Sequence, residues 1–190
     1  TDMAMVYSEV PCVAAGTFTT NVVKAAPVKW DQDIVYNHPS AQVVICNSGI
    51  ANACTGAEGY GYCKETADAA AEILGVAADS VLVASTGVIG MQVPIDRIKN
   101  GVKMMAPKLD GSLEAGTEAA KGDHGLLIPR RKRLLFRLKL AVRRLLLVVC
   151  VRVRYDPSEY VYHVKFCDNR CCNFTGAAVR GIKSGRGRYL

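Results

Sequence analysis

No stretch of the 190 residues is apolar for long enough to cross a bilayer as a helix. The most apolar segment, residues 134–153, is broken by Arg137, Lys139, Arg143, Arg144 and Arg152, whereas a spanning helix needs about 20 mostly apolar residues. Residues 1–20 lack a basic start followed by an apolar run, so no secretory signal is expected there and the chain reads as cytoplasmic. Cysteine is present without a pattern. Cys12, Cys46, Cys54 and Cys63 stand singly among small or apolar neighbours, which suits buried, reduced thiols better than a disulfide framework. His163, Cys167, Cys171 and Cys172 match no common zinc module, so no metal is expected. Aromatic residues make up 7% of the chain. They do not interleave regularly with the arginines of the C-terminal part, which argues against nucleic acid as a partner.

Half of the residues are hydrophobic, enough for a packed core and too many for global disorder. The net charge of +7 conceals an asymmetry. Residues 1–121 hold 8 Lys/Arg against 13 Asp/Glu, and residues 122–190 hold 16 against 4. The basic character therefore belongs to the tail. Such a split marks either a tail that binds anionic surfaces or two parts of different origin. The division expected is an α/β domain over 1–121 and a basic tail over 122–190.

Along the first part, residues 3–7 read as a strand, 8–11 as a turn, and 14–21 as a small-residue bend into a strand. Pro27 is expected at an edge or in a loop. The β-branched run 42–46 reads as a buried strand. Residues 47–56 are dense in small and amide side chains. They read either as a turn whose Asn groups satisfy local backbone or as one wall of a site. A helix is expected over 62–74, stopped by Gly75, with Thr66, Ala70 and Leu74 on its packing face. The apolar run 81–83 leads into Ala84-Ser85-Thr86-Gly87-Val88-Ile89-Gly90, read as a small-residue turn that enters a helix and offers N–H groups and a hydroxyl to an anionic oxygen. Pro94 suits that helix's first turn, and Ile95, Ile98, Val102 and Met105 share one face. Pro107 ends it, and residues 111–121 resume a helical pattern. Strand, loop and helix in repetition imply a layered α/β fold. Residues 129–153 have neither a clean helical nor a clean strand period.

Four blocks recur in order: Ala15-Gly16-Thr17-Phe18-Thr19-Thr20-Asn21; Lys24-Ala25-Ala26-Pro27-Val28; Asn47-Ser48-Gly49 with Ala51-Asn52-Ala53-Cys54-Thr55-Gly56; and Ala84 through Gly90. Together they make residues 1–121 resemble the ornithine/glutamate N-acetyltransferase family of arginine biosynthesis. The resemblance implies an α/β layered sandwich like that family's α chain and a soluble α2β2 assembly with a β chain. It also implies autocatalytic cleavage before a threonine that becomes the nucleophile. Acetyl passes through that threonine from N2-acetylornithine to glutamate, and some members also take acetyl-CoA as a substrate. No other cofactor is implied. An N-terminal amine makes a hydroxyl nucleophilic by accepting its proton, and the oxyanion that forms needs aimed donors. The resemblance assigns those donors to Thr86 and Gly87.

The family pattern should continue past residue 121 to its cleavage threonine, and as printed it does not. The tail does permit that continuation one base out of frame. Residues 122–124 then allow Ala-Ile-Met, and residues 152–171 allow Gly-Ser-Gly-Met-Ile-His-Pro-Asn-Met followed by Cys or Ser and then Thr. The family's lysine is not recovered by this offset. Residues 122–190 are therefore expected to be an out-of-frame reading, from gene damage or a sequencing error, with no nucleophile in frame and no acetyl transfer by this chain alone. The alternative is a non-enzymatic α/β domain with a genuine basic tail for nucleic acid or anionic lipid. Resequencing the DNA across codon 121 separates them: one inserted or deleted base should restore a family-like continuation. The alternative expects binding that weakens steeply as salt rises and vanishes when residues 122–190 are deleted.

Overall fold

The computed structural model describes residues 2–122, 147–150 and 163–167. Its elements, in chain order, are β1 (Met3–Ala15), α1 (Ala26–Asn37), β2 (Ala41–Ile50), α2 (Glu58–Leu74), β3 (Val81–Val88), α3 (Ile95–Met105), α4 (Leu113–Gly122), β4 (Leu147–Cys150) and β5 (His163–Cys167). The strands form one sheet in the order β3-β2-β1-β5-β4. β2 and β3 are parallel, joined by the α2 crossover; β1 runs antiparallel to β2 and to β5.

Period-2 alternation assigns the two faces of the sheet. Val44, Cys46, Leu82 and Ala84 pack with Val28 and Ile34 of α1, and Ala119 of α4 joins them. Val43, Ile45 and Val81 pack with Ala67 and Ala70 of α2 and Val102 of α3. β2 is buried on both faces, which is why its sequence is continuous Val-Val-Ile rather than alternating. Each such side chain contributes about 1.5–3 kcal/mol by leaving water. The small face of α2, including Thr66 and Ala70, lets the helix settle close to the sheet, as expected. Gly75 ends it in the left-handed conformation at φ 68°, its N–H donating to Ala71 O at 2.9 Å.

Several local expectations are corrected. Residues 8–11 are not a turn but an irregularity inside β1. Tyr7 faces Val43 and Cys12 faces Ala41, so five steps along β1 accompany two along β2. Ser8 Oγ donates to Val10 O at 2.8 Å and fixes the distortion. Residues 16–20 carry no strand. Pro27 is neither edge nor loop; it starts α1, where its missing N–H costs nothing. β2 continues through Asn47, Ser48 and Gly49 to Ile50, taking in the start of the expected loop. The tail's irregularity is interrupted by β4 and β5, where β-branched and aromatic residues (Val148, Val149, Val164, Phe166) supply strand formers.

Helix α1 escaped sequence reading because its buried face is Pro27, Val28, Asp31 and Ile34, a helical spacing with a carboxylate in the middle. Asp31 is fully buried and accepts the Val83 N–H on Oδ1 at 2.9 Å, while Oδ2 has no partner among the described residues. The adjacent Trp30 donates its indole N–H to Val81 O at 2.9 Å and meets the Tyr60 ring edge-on at 5.3 Å.

Burial pushes the Asp31 carboxyl well above the usual carboxylate range, and the Val83 N–H pulls it only partly back. Between the unfolded and folded pKa values the native state keeps a proton that the unfolded state has lost. Stability from this group therefore falls as pH rises above the ordinary Asp value of about 3.9, and levels off beyond the folded value. Urea midpoints of the wild-type chain and of Asp31→Asn should diverge over that range, the variant gaining on the wild type as pH rises. A pH-independent difference between them would show that Asp31 ionises normally.

Candidate functional site

The carboxyl ends of the parallel strands β2 and β3 lie side by side, the place where open α/β sheets present their loops to ligands. Asn47, Ser48, Gly49 and Ile50 pair in order with Ser85, Thr86, Gly87 and Val88. Thr86 and Gly87 are thus still inside β3. The expected turn into a helix N-terminus is corrected: the chain bends only at residues 89–91, and α3 starts at Ile95. The paired strand, rather than a helix dipole, fixes the direction of these two residues.

Gly49 and Gly87 face each other with φ 121° and 139°, a region that L side chains rarely adopt. A Cβ on Gly87 would overlap the Gly49 carbonyl carbon and oxygen. This glycine pair lets the two strands stay paired to their ends without side chains between them. Thr86 projects on the same face as Leu82 and Ala84, beside Ser48, and its hydroxyl makes no hydrogen bond among the described residues. Backbone groups alternate along β3. Val88 O points towards β2 and accepts Ala51 N–H at 3.0 Å. Val81 O and Val83 N–H point to the outer edge, where Trp30 and Asp31 take them. By the same alternation the Gly87 N–H lies on the outer edge, beyond the reach of those two residues.

The neighbouring loop, residues 51–57, is built by its amides. Asn52 Nδ2 donates to Gly59 O at 2.8 Å and to Cys63 Sγ at 3.3 Å, and Asn52 Oδ1 accepts the Thr55 hydroxyl at 2.7 Å. Ala26 N–H reaches Asn52 O at 3.3 Å, tying the start of α1 to the same loop. Asn47 Nδ2 donates to Ile50 O at 2.8 Å, and its Oδ1 accepts the Ser85 hydroxyl at 2.5 Å. Of the two readings of this stretch, the amides fulfil the local structural one, and in doing so they hold the loop beside Thr86. Just past Gly87, the side chains of Val88 and Met91 are exposed.

The cysteine expectation holds for Cys12, Cys46 and Cys63 and fails for Cys54, which is exposed with a left-handed φ of 56°. Small neighbours in sequence signalled burial, whereas the loop turns this side chain outward. Cys63 is buried against Asn52; burial above all, with the nearby Asp31, pushes its thiol far up. Cys171 and Cys172 lie outside the described residues. Sequence reasoning missed Trp30 and Asp31; the only signal was that Asp31 falls at helical spacing between Val28 and Ile34.

A family model described as the ArgJ family matches residues 1–122. Among curated proteins, the chain is 48% identical over 103 residues to the arginine biosynthesis bifunctional protein ArgJ of Thermotoga neapolitana, covering 54% of this chain and 26% of that protein. It is 45% identical over 120 residues to the Gloeobacter violaceus protein of the same name, covering 63% and 29%. The chain thus spans little more than a quarter of these relatives. The crystal structure of ornithine acetyltransferase complexed with ornithine from Mycobacterium tuberculosis superposes with a TM-score of 0.60 at 39% identity, covering 64% of this chain and 65% of that one. That of ArgJ from Bacillus halodurans gives 0.51 at 41%, covering 54% and 53%.

Two measurements test this geometry. Gly87→Ala should cost about 2–5 kcal/mol in urea unfolding, from strain plus the clash with Gly49. Gly90→Ala, also at positive φ but in open space, should cost about 1–2 kcal/mol. Equal losses would mean that contact across the strands is unimportant. Among the four N-terminal cysteines, iodoacetamide should modify Cys54 in the native chain and reach Cys12, Cys46 and Cys63 only after denaturation, as mass mapping would reveal.

Proposed function

The chain belongs to the ArgJ family, and on that premise we propose that residues 1–122 form the oxyanion-donor part of an N-acetyltransferase acting on N2-acetylornithine and glutamate. Thr86 and Gly87 are the donors. The observation that carries this reading is their pairing at the end of β3: among the described residues, a hydroxyl without a hydrogen-bond partner beside a backbone N–H on the strand edge that no other strand pairs with. A threonine hydroxyl elsewhere in the complete enzyme attacks the acetyl carbonyl, its proton passing to an amine. The carbonyl oxygen becomes an oxyanion held by Thr86 Oγ–H and Gly87 N–H. Collapse breaks the carbon–nitrogen bond, releases ornithine with the proton returned to its amine, and leaves acetyl on the threonine. The glutamate amine then takes the acetyl by the reverse sequence. Acetyl-CoA is a further acetyl donor by family analogy.

The nucleophile is not among the residues that match the family, so this chain alone is inactive. It pairs with a β chain in an α2β2 assembly when the complete protein is present, in the cytoplasm for bacterial members. The basic segment 123–190 adds strands to the sheet through β4 and β5 and supplies no group to the acetyl-transfer chemistry.

A colourimetric ornithine assay should detect no turnover by the purified chain given N2-acetylornithine and glutamate. Mixing it with the nucleophile-bearing remainder of the Thermotoga neapolitana relative should restore turnover. In that mixture Thr86→Val should lower kcat roughly 10²–10³-fold, the loss associated with one oxyanion donor. Turnover by the chain alone, or a Thr86→Val mixture as fast as wild type, would overturn the proposal.

A further inference from the structure

Among the described residues, β3 is the last strand of the sheet on its side, and one row of its peptide groups has no strand partner there. An uncovered row is normally hydrated, blunted or covered. Here the row is divided. Trp30 Nε1–H takes Val81 O and Asp31 Oδ1 takes Val83 N–H, each at 2.9 Å. The outward groups of Ser85 and Gly87 follow without such a hydrogen-bonded side chain among the described residues. Both clamping residues come from a single turn of α1. That helix is anchored at its start to the loop beside Thr86 through the Ala26 N–H bond to Asn52 O. One rigid element therefore touches β3 before the glycine and the wall after it. A helix fixed only by apolar packing could slide along the strand. Two directional bonds to alternate peptide groups prevent both sliding and rotation.

We propose that Trp30 and Asp31 are positioning residues of the acetyl-transfer site, fixing the twist and height of β3 so that the Gly87 N–H and the Thr86 hydroxyl converge on one point. This rests on the reading of Thr86 and Gly87 as oxyanion donors. Neither clamping residue touches the reacting atoms. Their effect passes along β3, where a displacement of about 1 Å at a reacting centre can cost on the order of 10²-fold in rate. Asp31 bears a carboxylate where a hydrophobic side chain would pack more cheaply, and Oδ2 remains without a partner among the described residues. The bond to Val83 is what the carboxyl provides there that a leucine could not.

The test uses the full chain and three variants: Asp31→Leu, which deletes the acceptor; Asp31→Asn, which keeps it; and Trp30→Phe, which keeps the ring and deletes the donor. In amide hydrogen exchange, Asp31→Leu and Trp30→Phe should speed exchange across β3 at least about tenfold while α3 stays protected. Asp31→Asn should behave as wild type. In the reconstituted assay, Asp31→Leu should lower kcat roughly 10²-fold with the KM for N2-acetylornithine little changed, and Asp31→Asn should restore it. Uniform loss of protection through α2, α3 and β1 would make Asp31 a general stability residue and overturn the proposal. So would wild-type kcat in both Asp31→Leu and Trp30→Phe. If Asp31→Leu does not fold, Trp30→Phe decides the question by the same two readouts. A reconstituted wild type without turnover would instead remove the oxyanion reading itself, and the inference with it.

Discussion

A strand whose outward peptide groups meet no neighbouring strand must dispose of them otherwise, and among the described residues the parallel strand β3 does so through a helix. Two side chains of α1 take the hydrogen-bonding places of a neighbour strand at Val81 and Val83. Because those bonds are directional, α1 lies along the edge of the sheet rather than squarely on one face. Trp30 accordingly packs with both clusters of the core. The remaining helices then have one face each: α2 and α3 share the side of Val43 and Ile45, and α4 takes the side of Val44.

The same edge gives the site its form. Where the side-chain cover stops, the strand is still paired to β2 on its inner side, so its backbone cannot relax to satisfy itself. The Gly49–Gly87 crossing keeps both strands regular up to this point while clearing the space above them. For the oxyanion donors proposed above, a stiff backbone means that the cost of aiming them is met in folding and not at the moment of reaction. The amides of Asn47 and Asn52 extend that rigidity into the loop, since each spends its donors and acceptors on neighbouring backbone or hydroxyl groups.

Much of this was legible in the sequence, for reasons that differ by element. β2 and α2 announced themselves because continuous Val-Val-Ile and a small-residue helical face with Gly75 at its end have few other physical uses. The layered α/β class followed from their alternation, and the family blocks pointed to Thr86 and Gly87. What was not legible depended on partners distant in sequence. A strand ending in Ser85-Thr86-Gly87 looks like a turn until Asn47, Ser48 and Gly49 are known to lie opposite. Pro27 looks like a breaker until a helix starts on it. Asp31 spoils an apolar period unless Val83, 52 residues away, is there to donate to it. Cys54 looked buried by its neighbours and was turned outward by the backbone.

The irregularity in β1 divides that strand's allegiances. Met3 through Tyr7 and, past the irregularity at residues 8–11, Cys12 pair with β2, whereas Val13 through Ala15 pair with β5. A slackened ladder transmits little force along the strand, so it works as an expansion joint. Changes in what is stacked beyond Val13 need not re-register the strands that hold Gly49 against Gly87. The register that sets Gly49 against Gly87 thus lies on the other side of this irregularity from the pairing with β5.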